Sequence, residues 1–466
     1  MNTFLSFRER FGRRRILWQT RLGAYCVGVD EFVPVALVAT LDDGRDLNAI
    51  ERETGIRFFS RERAEGRREA YDDAPGTYVL LPGVEREVAA AVAQAPAEDW
   101  LAICPYPSPP LAGYAAKAGI QCRTLDWETF QWFARKFNLQ AGQEELGLPR
   151  LAGRWIRLGG ARYLELVSEF GSKFVAQLDL SAAGRGTVVV ESEAQCASAA
   201  ERFGNTEVWV TPYAGALSLN VNAIATPEGT AVGYPSVQIV AQAALNNARS
   251  GHCGNDFTAT AELPRSALES IREQTARIGG WMATRGFRGI FGLDFVMDEK
   301  TGVPHAVDLN PRWQGSTSLQ AQAERRGGRV PLAAVEIAYQ AGLVSSREVL
   351  DEAGKFFEPL EGSQIFPKSF ADGFWRAQGT LEAGVYSPAM TFLRPALRLH
   401  QLVSTEEVLV TGGIPRPGRS LAPGATLARM CSLRAAVEPN SGKLHPWAEE
   451  AARGLYGTLE LEAVRE

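Results

Sequence analysis

The sequence predicts a multidomain α/β and α+β protein. It divides into an open α/β domain over residues 1–125, a two-part central domain over 126–345, whose first subdomain spans about 126–210, and a smaller β-rich domain over 346–466. Three observations carry this division. At 466 residues the chain exceeds what one ordinary core accommodates, so two or three domains are expected. The first part alternates short apolar runs with charged helical stretches, the pattern of a strand–helix layer. Beyond residue 345 the composition shifts to short β-type runs punctuated by Gly and Pro, as in 384–430.

Within the first domain, residues 33–40, 77–81 and 100–104 read as strands, with a helix over 85–95. The Pro-rich stretch 105–110 follows a strand and forms a loop over its carboxyl end. A helix over 127–139 comes next, with Thr124 or Asp126 as N-cap. Strands over 174–180 and 186–191, a helix over 194–202 and a strand over 207–210 make a β-β-α-β unit. Antiparallel strands fill 217–240. Residues 265–285 read as a long helix, apolar at Leu268, Ile271, Thr275, Ile278 and Met282, and 330–341 is helical again.

Composition narrows the function classes. A net charge of −5 gives no general attraction for nucleic acid, and no run of 18 apolar residues suggests a membrane span. The Arg-rich start contains Glu9 and lacks a continuous apolar stretch, so it does not read as a signal peptide. Six scattered cysteines without a C-x-x-C pair predict reduced, cytoplasmic thiols rather than a disulfide framework or structural zinc. The signatures of P-loop NTPases, α/β-hydrolases and dinucleotide enzymes are absent.

The most informative stretch is 286–315. Two β-type runs, 290–297 and 304–309, flank a charged turn over 298–302 that ends in Gly, predicting a hairpin centred near Thr301. That centre sets Asp294 opposite Asp308, and strand alternation puts Asp308 and Asn310 on one face. Facing like charges destabilise a sheet, so the pair needs a cation or must face water. The apolar neighbours Phe291, Leu293, Phe295, Val307 and Leu309 favour the cation. Oxygen ligands with open positions suit Mg²⁺. Arg312 adds a fork able to grip phosphate or carboxylate, or alternatively an ion pair to one of the aspartates.

The block G-x-x-G-x-x-G-x-D-F, followed by D-L-N-P-R, resembles the ATP-grasp superfamily, whose usual form is an acid on one strand and E-x-N or E-x-N-x-R on the next. The resemblance implies that Asp294, Asp308 and Asn310 hold Mg²⁺ (or Mn²⁺) and that Arg312, with Asn310, serves the transferring phosphoryl group. Asp308 departs from the commoner Glu by one methylene. Residues 174–191 resemble the family's hairpin whose glycine-rich tip covers the ATP phosphates. This implies ATP contacts from Gln177, Ser181, Gly184, Arg185, Gly186 and Thr187, where glycines free backbone N–H groups to face an anion.

Gln177 stands where the family usually has a Lys; an amide donates hydrogen bonds but no charge, leaving Lys173 or Arg185 as substitutes. Lys136 matches the family's other nucleotide Lys, an exposed helix residue being the alternative. Val210, Thr211, Pro212 and Tyr213 match the hinge beside adenine. The usual acidic ribose ligand beyond Gly215 is missing. Gln238, His252, Asn255 and Asp256 fall in a segment, 235–257, similar to substrate loops of these ligases, with plain loop structure as the alternative. His252 and Cys253 point oppositely on an extended chain, which argues against a nucleophile and its base.

The resemblance covers roughly 125–345. It implies an ATP-dependent carboxylate–amine ligase that passes through an acyl phosphate and releases ADP and phosphate. The substrates would be small molecules, amino acids or peptides, without nucleic acid or membrane partners, and a homo-oligomer is compatible. A thiol or hydroxyl acceptor, or nucleotide binding without turnover, are the alternatives. A biotin-dependent carboxylase is disfavoured because its Glu and Arg-rich motifs are missing.

Overall fold

The computed structural model describes residues 3–66, 82–181, 184, 186–246 and 251–464. The expected strand over 77–81 and Arg185 lie outside these residues. Five parallel strands, β1 (Arg15–Thr20), β2 (Val35–Thr40), β3 (Arg57–Ser60), β4 (Trp100–Ile103) and β5 (Gln121–Arg123), make the first sheet in the order β3-β2-β1-β4-β5. Alternation along β1 sends Ile16 and Trp18 into one core and Leu17 into another, so the sheet is covered on both faces. The strand order reverses between β1 and β4. Ligand crevices in such sheets open at the carboxyl ends at this point, and Thr20, Arg21, Cys104, Pro105 and Tyr106 are placed there.

The expected helix over 127–139 is two helices, Trp127–Phe133 and Lys136–Glu145. Arg135 between them is extended (φ −76°, ψ 129°). The break has a physical cause: Lys136 N–H donates to the Asp179 carbonyl, and Phe137 N–H to the Asp179 carboxylate, both at 3.0 Å. An acid thus caps the second helix from a neighbouring hairpin. Asp126, not Thr124, caps the first, accepting from Thr129 N–H at 2.9 Å. The Thr124 hydroxyl instead accepts from Ser108 N–H at 3.1 Å and fixes the loop after β4.

The first subdomain of the central region holds an antiparallel sheet of β6 (Arg154–Ile156), β7 (Phe174–Leu178), β8 (Thr187–Val190) and β9 (Val208–Pro212), ordered β6-β9-β7-β8. Helices Tyr163–Phe170 and Glu193–Phe203 close one face of it around Phe174, Ala176, Val208 and Val210. The expected β-β-α-β unit is present.

The large sheet begins with β10 (Ser218–Thr226), β11 (Gly229–Val232), β12 (Ser236–Val240), β13 (His252–Asp256), β14 (Gly289–Met297) and β15 (Pro304–Asn310). Helix Arg265–Thr284 packs on it through Ile271, Ile278 and Met282, against Val221 and Phe291. The terminal segment is β-rich: β16 (Ser363–Ile365), β17 (Trp375–Ala377), β18 (Gly384–Tyr386), β19 (Phe392–Arg394), β20 (Val408–Thr411), β21 (Ser420–Leu421), β22 (Arg429–Ser432) and β23 (Leu461–Ala463). Most of these strands do not stand apart. β16 pairs with β13, so the order runs β15-β14-β10-β12-β13-β16-β22-β20-β18-β19 as one sheet. The terminal segment and the central region therefore share a sheet and a core. β17, β21 and β23 form a small separate sheet.

Candidate active site

The acidic hairpin has the expected register: Asp294 pairs with Asp308, and a bulge follows between Asp294 and Phe295. Its turn is closed by Asp298, whose carboxylate accepts from Lys300 and Thr301 N–H. The two facing aspartates lie at the floor of a cleft of about 620 Å³, within the size range of small-molecule sites. Lys136, Gln177, Ser181, Gly184, Thr187, Thr211, Pro212, Tyr213, Gln238, His252, Asn310 and Arg312 also line it. Residues expected from distant parts of the chain are thus gathered around one space.

Burial and the nearby Asp308 push the Asp294 carboxyl above the usual carboxylate range. Lys136 answers this repulsion: its ammonium, 5% exposed, sits 2.6 Å from Asp308 Oδ1. It is a buried cleft residue, not an exposed helix residue. Asn310 Nδ2 is 3.4 Å from an oxygen of each aspartate. Arg312 makes no ion pair to either aspartate. It donates to Asn310 Oδ1 at 3.0 Å and to the Trp313 carbonyl at 2.7 Å, with its guanidinium 4.5 Å over the Tyr106 ring. Trp313 N–H donates to the Pro105 carbonyl, so the loop after β4 braces the segment carrying Arg312 from the first domain.

The glycine hairpin is β7 and β8. Gly184 has the left-handed φ of +74°, and a Cβ on Gly186 would fall 2.4 Å from Ser181, so both positions favour glycine. Gly186 itself does not line the cleft. Gln177 Nε2 donates to the Thr187 hydroxyl at 3.2 Å. Lys173 does not take the place of the missing lysine: it pairs with Glu191 at 2.8 Å and lies over the Tyr213 ring. On β9, Thr211 faces the cleft while Val210 packs in the core with Phe174 and Ala176.

Two of the expected substrate residues are elsewhere. Asp256 is fully buried, caps helix Phe257–Thr260 through Ala259 N–H and also accepts from Ala436 and Val437 N–H. It ties the terminal segment to β13. Asn255 lies beneath the floor, bonded to Asn220 and Ser236. His252 does face the cleft and meets Asn255 Oδ1 at 3.0 Å, while Cys253 turns into the core. Gln238 faces the cleft with Asp294 and offsets part of the upward push on its carboxyl.

Sequence reasoning missed Gln314, whose Nε2 donates to Asp294 Oδ1 at 2.7 Å and whose Oε1 accepts from Asn220 Nδ2 at 3.3 Å. Its only signal was proximity to the Asn310–Arg312 motif. Trp209 was readable from the alternation of β9, since it shares the cleft face with Thr211. Arg21, Tyr106 and Arg150 also line the cleft and had no local signal.

Two aspartates and an asparagine are a hard oxygen set with room for further ligands, which suits Mg²⁺. Among the described residues no cluster of three or more His, Cys, Asp or Glu forms an alternative metal cage.

No family model and no curated protein matches the sequence. Solved structures do match over nearly the whole chain. A carboxyaminoimidazole ribonucleotide synthase from Aspergillus clavatus, complexed with ATP, matches with a TM-score of 0.53 and 12% identity, over 97% of this chain and 99% of that one. The biotin carboxylase domain of 2-oxoglutarate carboxylase from Hydrogenobacter thermophilus, with MgADP and bicarbonate, matches at 0.56 and 12%, over 97% and 91%. A biotin carboxylase from Campylobacter jejuni, complexed with a β,γ ATP ligand, matches at 0.58 and 14%, over 91% and 87%. The chain therefore has the ATP-grasp fold, the one that its acidic hairpin resembles.

Proposed function

We propose that this protein is an ATP-dependent ligase that activates a carboxylate as an acyl phosphate and passes it to an amine, with release of ADP and phosphate. One observation carries the reading: Asp294 and Asp308 face each other beneath the glycine hairpin, with Asn310 and Arg312 on the same strand and its extension. Neutral amides and hydroxyls on Gln177, Ser181 and Thr187 then serve the phosphates, while Lys136 and Arg312 supply charge. Trp209 and Tyr213 give the base flat apolar surfaces beside the hinge.

In the first step a substrate carboxylate oxygen attacks the γ-phosphorus, and the bond to the β,γ-bridging oxygen breaks, leaving ADP. Asp294, Asp308 and Asn310 would hold Mg²⁺, which neutralises the phosphate charge when bound. Lys136, paired with Asp308 at 2.6 Å, would exchange that partner for a phosphate oxygen. Arg312, fixed by Asn310, the Trp313 carbonyl and Tyr106, needs no reorganisation to face developing charge. In the second step the amine attacks the acyl carbon, a C–N bond forms, and phosphate leaves. No side-chain nucleophile is required, in keeping with the burial of Cys253.

Amino acids and peptides are the proposed carboxylate and amine. A second reading has bicarbonate as the carboxylate; the bicarbonate-bound structure of the same fold favours it. The test is ADP release from MgATP across amino acids, short peptides and bicarbonate with amines, with product masses. Release that depends on a carboxylate supports ligation. ATP binding without turnover across all of them would leave only a nucleotide-binding module.

A further inference from the structure

The cleft has a second cationic region that the chemistry above does not use. The carboxyl end of β1 supplies Arg21 and Tyr25 to one wall, and β13 supplies His252. Behind them stand two cations from the terminal segment. Arg429, on β22, is 4% exposed, with its guanidinium 4.2 Å over the Tyr25 ring and 5.5 Å over Phe366. The Phe366 ring in turn lies 5.5 Å from the His252 ring. Lys368 sits 5.8 Å over Phe366 and donates to the Thr426 hydroxyl at 2.7 Å.

Arg429 is charged at every pH a protein meets, and burying such a charge without a partner is costly. Its Nη2 is sealed from solvent and finds no hydrogen-bond partner. A carboxylate near its strand, Asp46, spends its oxygens on Gly412 and Ile414 N–H instead. Aromatic rings hold the guanidinium in place but leave its charge uncompensated.

We propose that the wall formed by Arg21, Tyr25 and His252, backed by Arg429 and Lys368, receives an anionic group of the second substrate, a carboxylate or a phosphate. The proposal rests on the reading of the cleft as a nucleotide site and adds to it the charge of the acceptor. Cations behind a low-dielectric wall attract an anion into the cleft and fix its orientation. The position suits an acceptor, because His252 lies against Gly315, just after Gln314 and the acidic hairpin. The field of Lys368 and Arg429 is visible in His252, which is held well below the usual histidine range by burial and by these two cations. A neutral His252 with its Nε2 on Asn255 leaves Nδ1 as an acceptor for an amine proton.

The test uses the full chain with MgATP replaced by a non-hydrolysable β,γ analogue, so that the phosphate-facing cations are occupied. Calorimetric titration with inorganic phosphate forms one arm, and with acetate or bicarbonate the other. Saturable binding in either arm is expected, weakened about tenfold or more in Arg429→Gln and in Lys368→Gln, with the affinity for the analogue unchanged. The arm that binds identifies the anion. Binding that both variants leave intact, or no binding in either arm, overturns the proposal. Failure of the analogue to bind overturns the nucleotide reading beneath it. Should Arg429→Gln not fold, Lys368→Gln and Arg21→Gln, at half-buried positions, decide the matter.

Discussion

The Lys136 ammonium lies 2.6 Å from Asp308 Oδ1, joining the start of helix Lys136–Glu145 to the second strand of the acidic hairpin. Between two facing carboxylates this is the compensation that the hairpin needs. Lys136→Gln removes it and leaves Asp308 opposite Asp294 with amides alone. Loss of about 1–3 kcal/mol of stability is expected, the cost of stranding a half-buried charge. Millimolar Mg²⁺ should then raise the melting temperature more in the variant than in the parent. Thermal unfolding with and without Mg²⁺ measures both, and equal stability of the two proteins would remove Lys136 from this role.

Asp308→Ala tests the metal assignment. ADP release should vanish while circular dichroism and melting remain those of a folded protein, because the side chain is 27% exposed and faces the cleft, not the core. Asp308→Glu installs the longer acid of the ATP-grasp pattern that the hairpin resembles and should keep measurable turnover. Turnover by the alanine variant would sink the assignment.

The legible parts of this protein were those where local chemistry and global placement agree. Asp294 and Asp308 could be paired from the turn between them, because register in a hairpin follows from its loop. Lys136 could be matched but not placed, since its orientation depends on Asp179 breaking a helix from another segment. Asp256 looked like a substrate residue from its G-N-D setting, yet its oxygens are taken by backbone N–H groups 180 residues onward. The continuation of the sheet from β13 into β16 was equally hidden. Short β-type runs state that strands exist, not which strand they join.

Gln314 bridges Asp294 and Asn220, and Asn220 continues through Asn255 to His252. This run of hydrogen bonds lies under the floor and orients the Asp294 carboxylate, the proposed metal ligand. Removing such a supporting partner typically costs 10–100-fold in metal affinity or activity. Gln314→Ala is expected to raise the Mg²⁺ concentration needed for half-maximal ADP release by roughly that factor. Saturating Mg²⁺ should recover most of the rate. A rate loss that Mg²⁺ does not repair would place Gln314 in contact with substrate instead.

His252 provides the pH prediction. Burial, Lys368 and Arg429 lower its pKa to about 4, against the ordinary 6.5 of a histidine. The depression means that the unfolded chain takes up a proton before the folded one does. Stability from this group is therefore complete above about pH 6.5 and falls as the pH drops toward 4. Lys368→Gln removes one of the cations and should move the His252 titration upward, narrowing that window. The imidazole signal assigned through a His252→Gln comparison, followed from pH 3 to 8 by NMR, gives the midpoint in each protein. An ordinary midpoint in the parent, or one indifferent to Lys368, would show that the cationic wall does not act on His252 as its geometry implies.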